Sequence, residues 1–250
     1  MSIKATYEKM ARPLGVRGQQ KRSFLVASFK ADREMFVESS CEHTTLLALD
    51  VDPRTVSILT QPFTVRLDIE KIFPTQSEAR RHRSGCRNVK PSDFSEEIIY
   101  TPDFEVGLTD PPCLVVESKD GDEIARISAA LKRREQILNN LGYRFLVVSN
   151  TEIEHKGLHN NLVNLRDAMK YRRKTDVAAL LEDLTKEIKN RQSPFAFGEI
   201  RHHVSDLALY LGLIEGVIAC DLRSGHFSDR TIIWPAFGDL THLKLLRLGV

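Results

Sequence analysis

Asp103, Glu117 and Lys119 have the types and spacing for phosphoryl chemistry, and all three fall in "IIYTPDFEVGLTDPPCLVVESKDG", residues 98–121. Two apolar runs flank a turn at "TDPP", and each run carries a carboxylate. With the turn centred on Asp110, Asp103 and Glu117 lie seven residues to either side. That symmetry predicts a β-hairpin in which the two acids are cross-strand neighbours, their Cβ atoms roughly 5 Å apart. Lys119, two residues beyond Glu117, shares its face. Carboxylates this close repel unless a cation or a proton lies between them. A hard divalent cation with oxygen ligands, Mg2+ or Mn2+, suits that gap. Such an ion stabilises charge on a phosphoryl oxygen and lowers the pKa of bound water, which an adjacent lysine could orient or help deprotonate. The plainer alternative is a hairpin with exposed carboxylates and a Glu117–Lys119 surface pair.

The elements around the hairpin decide whether it is held rigidly. "EMFVESSCEHTTLLALDVDP" predicts a helix stopped at Pro53. On it, Glu42 shares a face with Leu46 and Leu49, a face expected to look toward the sheet. A glutamate on an apolar stripe needs a partner, because a buried unpaired charge is costly. A metal held by Asp103 and Glu117 would supply one, and a salt bridge to lysine or arginine would serve equally well. "RTVSILTQPFTVRLDI" predicts one or two strands interrupted at Pro62, and residues 72–95 a polar, basic loop, or a strand end followed by a long insertion. "DEIARISAALKRREQILNNLG" predicts one helix ending at Gly142, and "YRFLVVSN" a buried strand. The helix presents Arg126, Lys132, Arg133 and Arg134, which could hold DNA phosphates beside the hairpin or simply form a solvated face.

After Asn150 the pattern turns helical. "HKGLHNNLVNLRDAMKYRR" and "TDVAALLEDLTKEIKNRQ" are amphipathic at helical spacing. "SPFAFGEIRHHVSDLALYLGL" predicts a helix ending near Gly212, "IEGVIACDLRSG" a short helix, and "RTIIWPA" a strand. Two short helices and a β ribbon are the layout of a winged helix-turn-helix. The face in "HHVSDLALYLGLIEGVIACDL" holds three acids and no Lys or Arg, which favours a protein partner over DNA there.

The chain has 250 residues, 42 % of them apolar, and a net charge of +2. That supports one large or two modest domains and names no partner by charge alone. Basic residues cluster in residues 1–33, in "ARRHRSGCRNVK" and in "KYRRK", patches suited to a polyanion or to solvent. The four cysteines form no CxxC pair, and no Cys/His cluster has zinc-finger spacing. Cys113 is expected to pack as a small hydrophobe. His155 and His159 lack a third ligand nearby, and His202, His203 and Trp234 suggest no site of their own. No secretory signal and no run long enough to cross a bilayer is apparent, so a cytoplasmic setting and no membrane partner are expected.

Pro102-Asp103 and Glu117-Ser118-Lys119 match the PD-(D/E)xK signature of restriction-endonuclease-like nucleases. "CEHTTLLALDVDPRTVSILTQPF", "YTPDF", "VVESK" and "LGYRFLVVSNTEI" resemble, in order, the successive blocks of the TnsA family, and "SDLALYLGLIEGVIACDL…TIIW" fits its C-terminal pattern. The resemblance runs from about Glu38 to Trp234, specific in the nuclease blocks and looser after residue 155. It implies an α/β fold: a restriction-endonuclease-like core, a mixed sheet flanked by helices, then a helical winged-helix-like C-terminal domain. The implied segments are a basic N-terminal stretch (1–37), a nuclease domain (38–154) and the C-terminal domain (155–250). It places Glu42, Asp103 and Glu117 as ligands of Mg2+ or Mn2+ and Lys119 as the catalytic lysine. Ser118, where such proteins often have an apolar residue, is expected to point away from the site. The implied activity is cleavage of double-stranded DNA at the 5′ ends of a transposon, with a DDE-type transposase subunit and an AAA+ regulator as partners. Two other readings stand beside it: a non-catalytic adaptor on a nuclease scaffold, and a stand-alone restriction-type nuclease.

Overall fold

The computed structural model describes residues 11, 23–31, 34–82, 98–110, 112–172, 176–189, 191 and 193–249. Most of the basic N-terminal residues, the greater part of "ARRHRSGCRNVK", and Arg173 and Lys174 lie outside the described residues. The chain divides into two units, one of residues 1–43, 55–150 and 248–250, the other of residues 44–54 and 151–247.

In the first unit, β1 (Phe24–Ala27) and β2 (Glu34–Val37) pair antiparallel. The expected helix over 34–53 is therefore strand at its start. It begins only where Ser39 Oγ accepts the Glu42 N–H at 3.0 Å, giving α1 (Ser40–Val51) a side-chain N-cap. Glu42 belongs to the first unit, while Leu46 and Leu49, fully buried, group with the second.

β3 (Thr55–Thr60) and β4 (Thr64–Arg66) are separate strands, parted where Pro62 interrupts. The segment expected as a loop, or as a strand end followed by an insertion, opens on the end of β5 (Lys71–Phe73) and holds α2 (Gln76–Arg81), the latter capped by Thr75, whose hydroxyl accepts the Glu78 N–H. After β6 (Ile99–Tyr100) come β7 (Phe104–Leu108) and β8 (Leu114–Lys119), the hairpin the sequence predicts. The expected single helix runs as α3 (Gly121–Arg126) and α4 (Ser128–Asn140), bent at Ile127. Ile127 N–H still bonds Glu123 O at 3.0 Å and Leu131 N–H bonds Ile127 O at 2.9 Å, so the hydrogen-bonded path continues through the bend. β9 (Arg144–Ser149) follows.

These strands make a mixed four-stranded sheet, order β3-β7-β8-β9, antiparallel except for the parallel β8–β9 pair. A parallel pair needs a crossover, which α3 and α4 provide. β8 is buried almost throughout because it is an interior strand, hence its near-continuous apolar run. β9 is half-buried along most of its length, less than its composition predicts, because it is an edge strand of this sheet. A second sheet, order β5-β4-β6, shares one core with the first. Phe63, Val65, Leu67 and Tyr100 pack with Val115 of β8 and with Ile137 and Leu138 of α4.

The second unit holds α5 (Asn150–Ile153), α6 (Leu158–Tyr171), α7 (Val177–Lys189), β10 (Phe195–Ala196), α8 (Asp206–Ile214), β11 (Ile218–Cys220) and β12 (Ile232–Pro235). Both long amphipathic helices appear where expected. The helix expected over 194–212 starts only at Ser205, whose hydroxyl accepts the Ala208 N–H at 3.2 Å, and the chain before it forms β10 and a 3₁₀ turn. "IEGVIACDLRSG" is not a helix. Gly216 at φ +70° ends α8, and the β-branched Val217 and Ile218 lead into β11. The sheet order is β10-β12-β11, antiparallel throughout. Gly212 lets α8 approach α7: a Cβ there would meet Leu184 Cδ2 at 2.3 Å. Gly212→Ala is expected to cost about 1–3 kcal/mol by overpacking, read as a lower urea midpoint.

Candidate active site

The hairpin register fixes the geometry. Phe104 pairs with Val116 and Glu105 with Val115, so the same register carried one residue further sets Asp103 opposite Glu117. Asp103 sits in the bend between β6 and β7, after Pro102 with its fixed φ. Its carbonyl accepts the Gln61 N–H at 2.9 Å, and its Oδ2 accepts the Ser118 N–H at 2.8 Å. The middle residue of the Glu-Ser-Lys triplet therefore serves the site through its backbone.

Glu117, 3 % exposed, is the hub. Lys119 Nζ lies 2.9 Å from its Oε1, Arg134 Nη1 lies 3.5 Å from the same oxygen, and the Tyr100 hydroxyl donates to Oε2 at 2.7 Å. Burial raises the Asp103 pKa well above the usual carboxylate range, and the charges of Glu117 and Glu42 push it further. Burial also works against the Lys119 ammonium. Glu117 and Asp103 beside it outweigh that effect, so its pKa is raised and the lysine stays protonated at neutral pH.

Glu42 is electrostatically part of this group but its carboxylate is bound locally. Oε2 accepts the Glu38 N–H at 2.8 Å and Oε1 accepts the Ser39 hydroxyl at 3.0 Å, a variant of the capping box. Burial is the first cause of its raised pKa. Among the described residues no three His, Cys, Asp or Glu side chains converge closely enough to hold one metal ion. The pair presented together is Asp103 and Glu117.

The four basic residues read as possible phosphate contacts part company, Arg126 being exposed at the end of α3. Lys132 and Arg133 are exposed on α4, Arg133 donating to Leu67 O at 3.4 Å. Arg134 instead turns inward to Glu117, its side chain 12 % exposed. It falls between the buried Leu131 and Leu138 on one helical face, and that placement was visible in the sequence: a charge on an apolar stripe signals a buried partner. Tyr100 gave no comparable signal, since its role depends on pairing between a second sheet and the first.

The remaining single residues take structural positions. His159 Nδ1 meets Thr44 Oγ1 at 2.9 Å and burial lowers its pKa, while His155, His202 and His203 are exposed. Cys113 is exposed, contrary to its expected packing, because it sits in the hairpin turn ahead of β8. Among the described cysteines Cys220 is the buried one, its thiol pushed up to about 12 by burial. Trp234 stands on β12, partly exposed. No helix among the described residues is long and apolar enough to cross a membrane. Compared with known proteins, the chain matches no family model and no curated protein.

Proposed function

We propose that the chain is a metal-dependent DNA endonuclease of the restriction-endonuclease-like class. The observation that carries this reading is the pair of opposed carboxylates, half-buried Asp103 and buried Glu117, with the Lys119 ammonium on the Glu117 carboxylate. The donor set suits a hard divalent cation: all oxygen, with no hydrogen bond to Asp103 Oδ1 among the described residues and the Asp103 pKa raised by burial and neighbouring acids. Asp103 and Glu117 would hold the ion. When bound, Mg2+ or Mn2+ would supply Lewis-acid stabilisation of the phosphoryl oxygens and an activated water. The chain's own residues do the rest. Lys119, kept cationic, is suited to orienting the attacking water and to stabilising charge developing on a nonbridging oxygen. The Ser118 N–H fixes the Asp103 carboxylate, and the sheet excludes solvent from its inner face. Exposed Lys132 and Arg133 on α4 are placed for backbone phosphates.

The particular reading is a TnsA-type subunit that nicks the 5′ ends of a transposon beside a DDE-type transposase subunit, under an AAA+ regulator. It rests on the order of the sequence blocks around Glu42, Asp103, Glu117 and Lys119. The winged-helix part of this reading is supported by the order α7, β10, turn, α8, β11, β12, with β12 between β10 and β11. The test is cleavage of transposon-end DNA by the chain with its partner transposase in Mg2+ or Mn2+. Lys119→Ala is expected to lower cleavage on the 5′ side by about 10²–10⁴-fold while the protein–DNA assembly still forms. Undiminished cleavage would sink the assignment. An adaptor built on a nuclease scaffold would show assembly and no cleavage in either protein.

A further inference from the structure

Two side chains close on Glu117 that the nuclease reading leaves without a role. The Tyr100 hydroxyl donates to Oε2 at 2.7 Å, and the Arg134 guanidinium reaches Oε1 at 3.5 Å. These two residues also brace each other, the Arg134 guanidinium carbon lying 4.5 Å from the centre of the Tyr100 ring. Both belong to rigid, buried surroundings. Tyr100 is 4 % exposed in the core shared by the two sheets, and Arg134 sits between buried Leu131 and Leu138 on α4.

The placement follows from the packing. Val115 and Glu117 share a face of β8, and Leu138 and Arg134 share a face of α4. Val115 and Leu138 meet in the core with Tyr100, so the next positions along strand and helix bring Glu117 and Arg134 together. The arrangement carries a cost, because Arg134 Nε is buried and among the described residues has no hydrogen-bond partner. A guanidinium that serves Glu117 while leaving its own Nε unpaired is placed for the carboxylate. Lys119 reaches the same Oε1 from a side chain that is 21 % exposed and flexible. Glu117 is thus held by the buried Tyr100 hydroxyl, by the Arg134 guanidinium, 12 % exposed, and by the more exposed Lys119 ammonium.

We infer that Tyr100 and Arg134 are positioning residues that lock the Glu117 carboxylate in the orientation in which it receives a divalent cation. The inference rests on the nuclease reading above. Its chemistry is that of an outer layer of hydrogen bonds to a ligating carboxylate, which sets ligand orientation before the metal binds.

The test titrates the purified full chain with MnCl2, without DNA, by calorimetry and by the loss of free Mn2+ signal in electron paramagnetic resonance. Tyr100→Phe keeps the ring and removes only the donor, and its Mn2+ affinity is expected to fall by roughly 10–100-fold. Arg134→Met is expected to weaken binding too. Removing a nearby positive charge would by electrostatics alone tighten it, so the sign separates positioning from charge. Arg134→Lys keeps the charge without the planar fork and is expected not to restore affinity. Thermal unfolding of each metal-free variant shows that the titrated protein is folded, and Tyr100→Phe decides the matter if the Arg134 variants do not fold. Unchanged or tighter Mn2+ binding in folded Tyr100→Phe overturns the positioning role and leaves the nuclease reading standing. A wild-type chain that binds no Mn2+ overturns both.

Discussion

Asp103→Asn is expected to abolish DNA cleavage and, at the same time, to raise the unfolding temperature of the metal-free protein. The two effects share one cause. Asp103 is placed by burial and by the charges of Glu117 and Glu42 where ionisation is unfavourable, so its pKa is raised in the folded chain. A carboxyl whose folded pKa exceeds its unfolded one stabilises the fold when protonated. That contribution is lost as pH rises from the unfolded value, about 3.9, through the raised folded value. Asparagine is neutral at every pH and keeps an oxygen for the Ser118 N–H, whose bond to Asp103 is 2.8 Å long. The stability gain at pH 7 is expected to be about 1 kcal/mol, the size usual when a strained active site is relaxed. It should shrink to nothing when both proteins are unfolded below the ordinary aspartate range. Urea midpoints at several pH values, beside the nicking assay, check both halves. A variant that is inactive and also less stable at neutral pH would mean that Asp103 is a structural ion-pair partner.

Asp68→Asn is expected to produce the largest loss of stability away from the site. Arg66 is fully buried on β4, and its Nε and Nη2 donate to the Asp68 carboxylate at 2.7 and 2.5 Å. Its Nη1 donates to the carbonyls of Ala79 and His82, at 3.1 and 3.0 Å, tying α2 to the second sheet. Losing the Asp68 charge weakens the compensation of a buried guanidinium, and breaking a wholly buried pair costs about 3–5 kcal/mol. Asp68 is 28 % exposed, so water relieves part of this, and about 2–3 kcal/mol is expected. The hydrogen bond from Arg66 is the first cause of the lowered Asp68 pKa. The contribution is therefore present above the ordinary aspartate value and lost as pH falls through the lowered folded one. Wild type and Asp68→Asn should converge in urea midpoint at acid pH and separate toward neutrality. A constant gap across that range would show that the carboxylate charge is not what Arg66 needs.

The hairpin was legible because its information is local. Turn residues at "TDPP", alternation on either side and equal spacing from Asp110 are enough to oppose Asp103 and Glu117, and the ladder follows that register. The amphipathic helices α6 and α7 were legible for the same reason, their periodicity being a property of consecutive residues. Short apolar runs were not. "GVIAC" suits a helix or a strand equally, and only Gly216 at positive φ and the pairing with β12 make it β11. The start of α1 misled in the same way, since "EMFV" becomes a strand only because β1 is there to pair with it.

By itself, then, the sequence determined the opposed acids, the lysine on their face and the helix that follows them. Arg134 also lies on an apolar stripe, a signal overlooked in reading it as a phosphate contact or part of a solvated face. Only the tertiary structure decided its partner. Tyr100 and Arg134 reach Glu117 from a second sheet and a crossover helix, through a core that joins Phe63, Val115 and Leu138 across distant parts of the chain. Glu42 shows the converse, a residue whose sequence position suits a shared metal and whose carboxylate the folded chain binds to its own helix cap. Spacing along a chain fixes which residues share a face. What lies opposite that face is settled by packing among elements whose contacts no local pattern encodes.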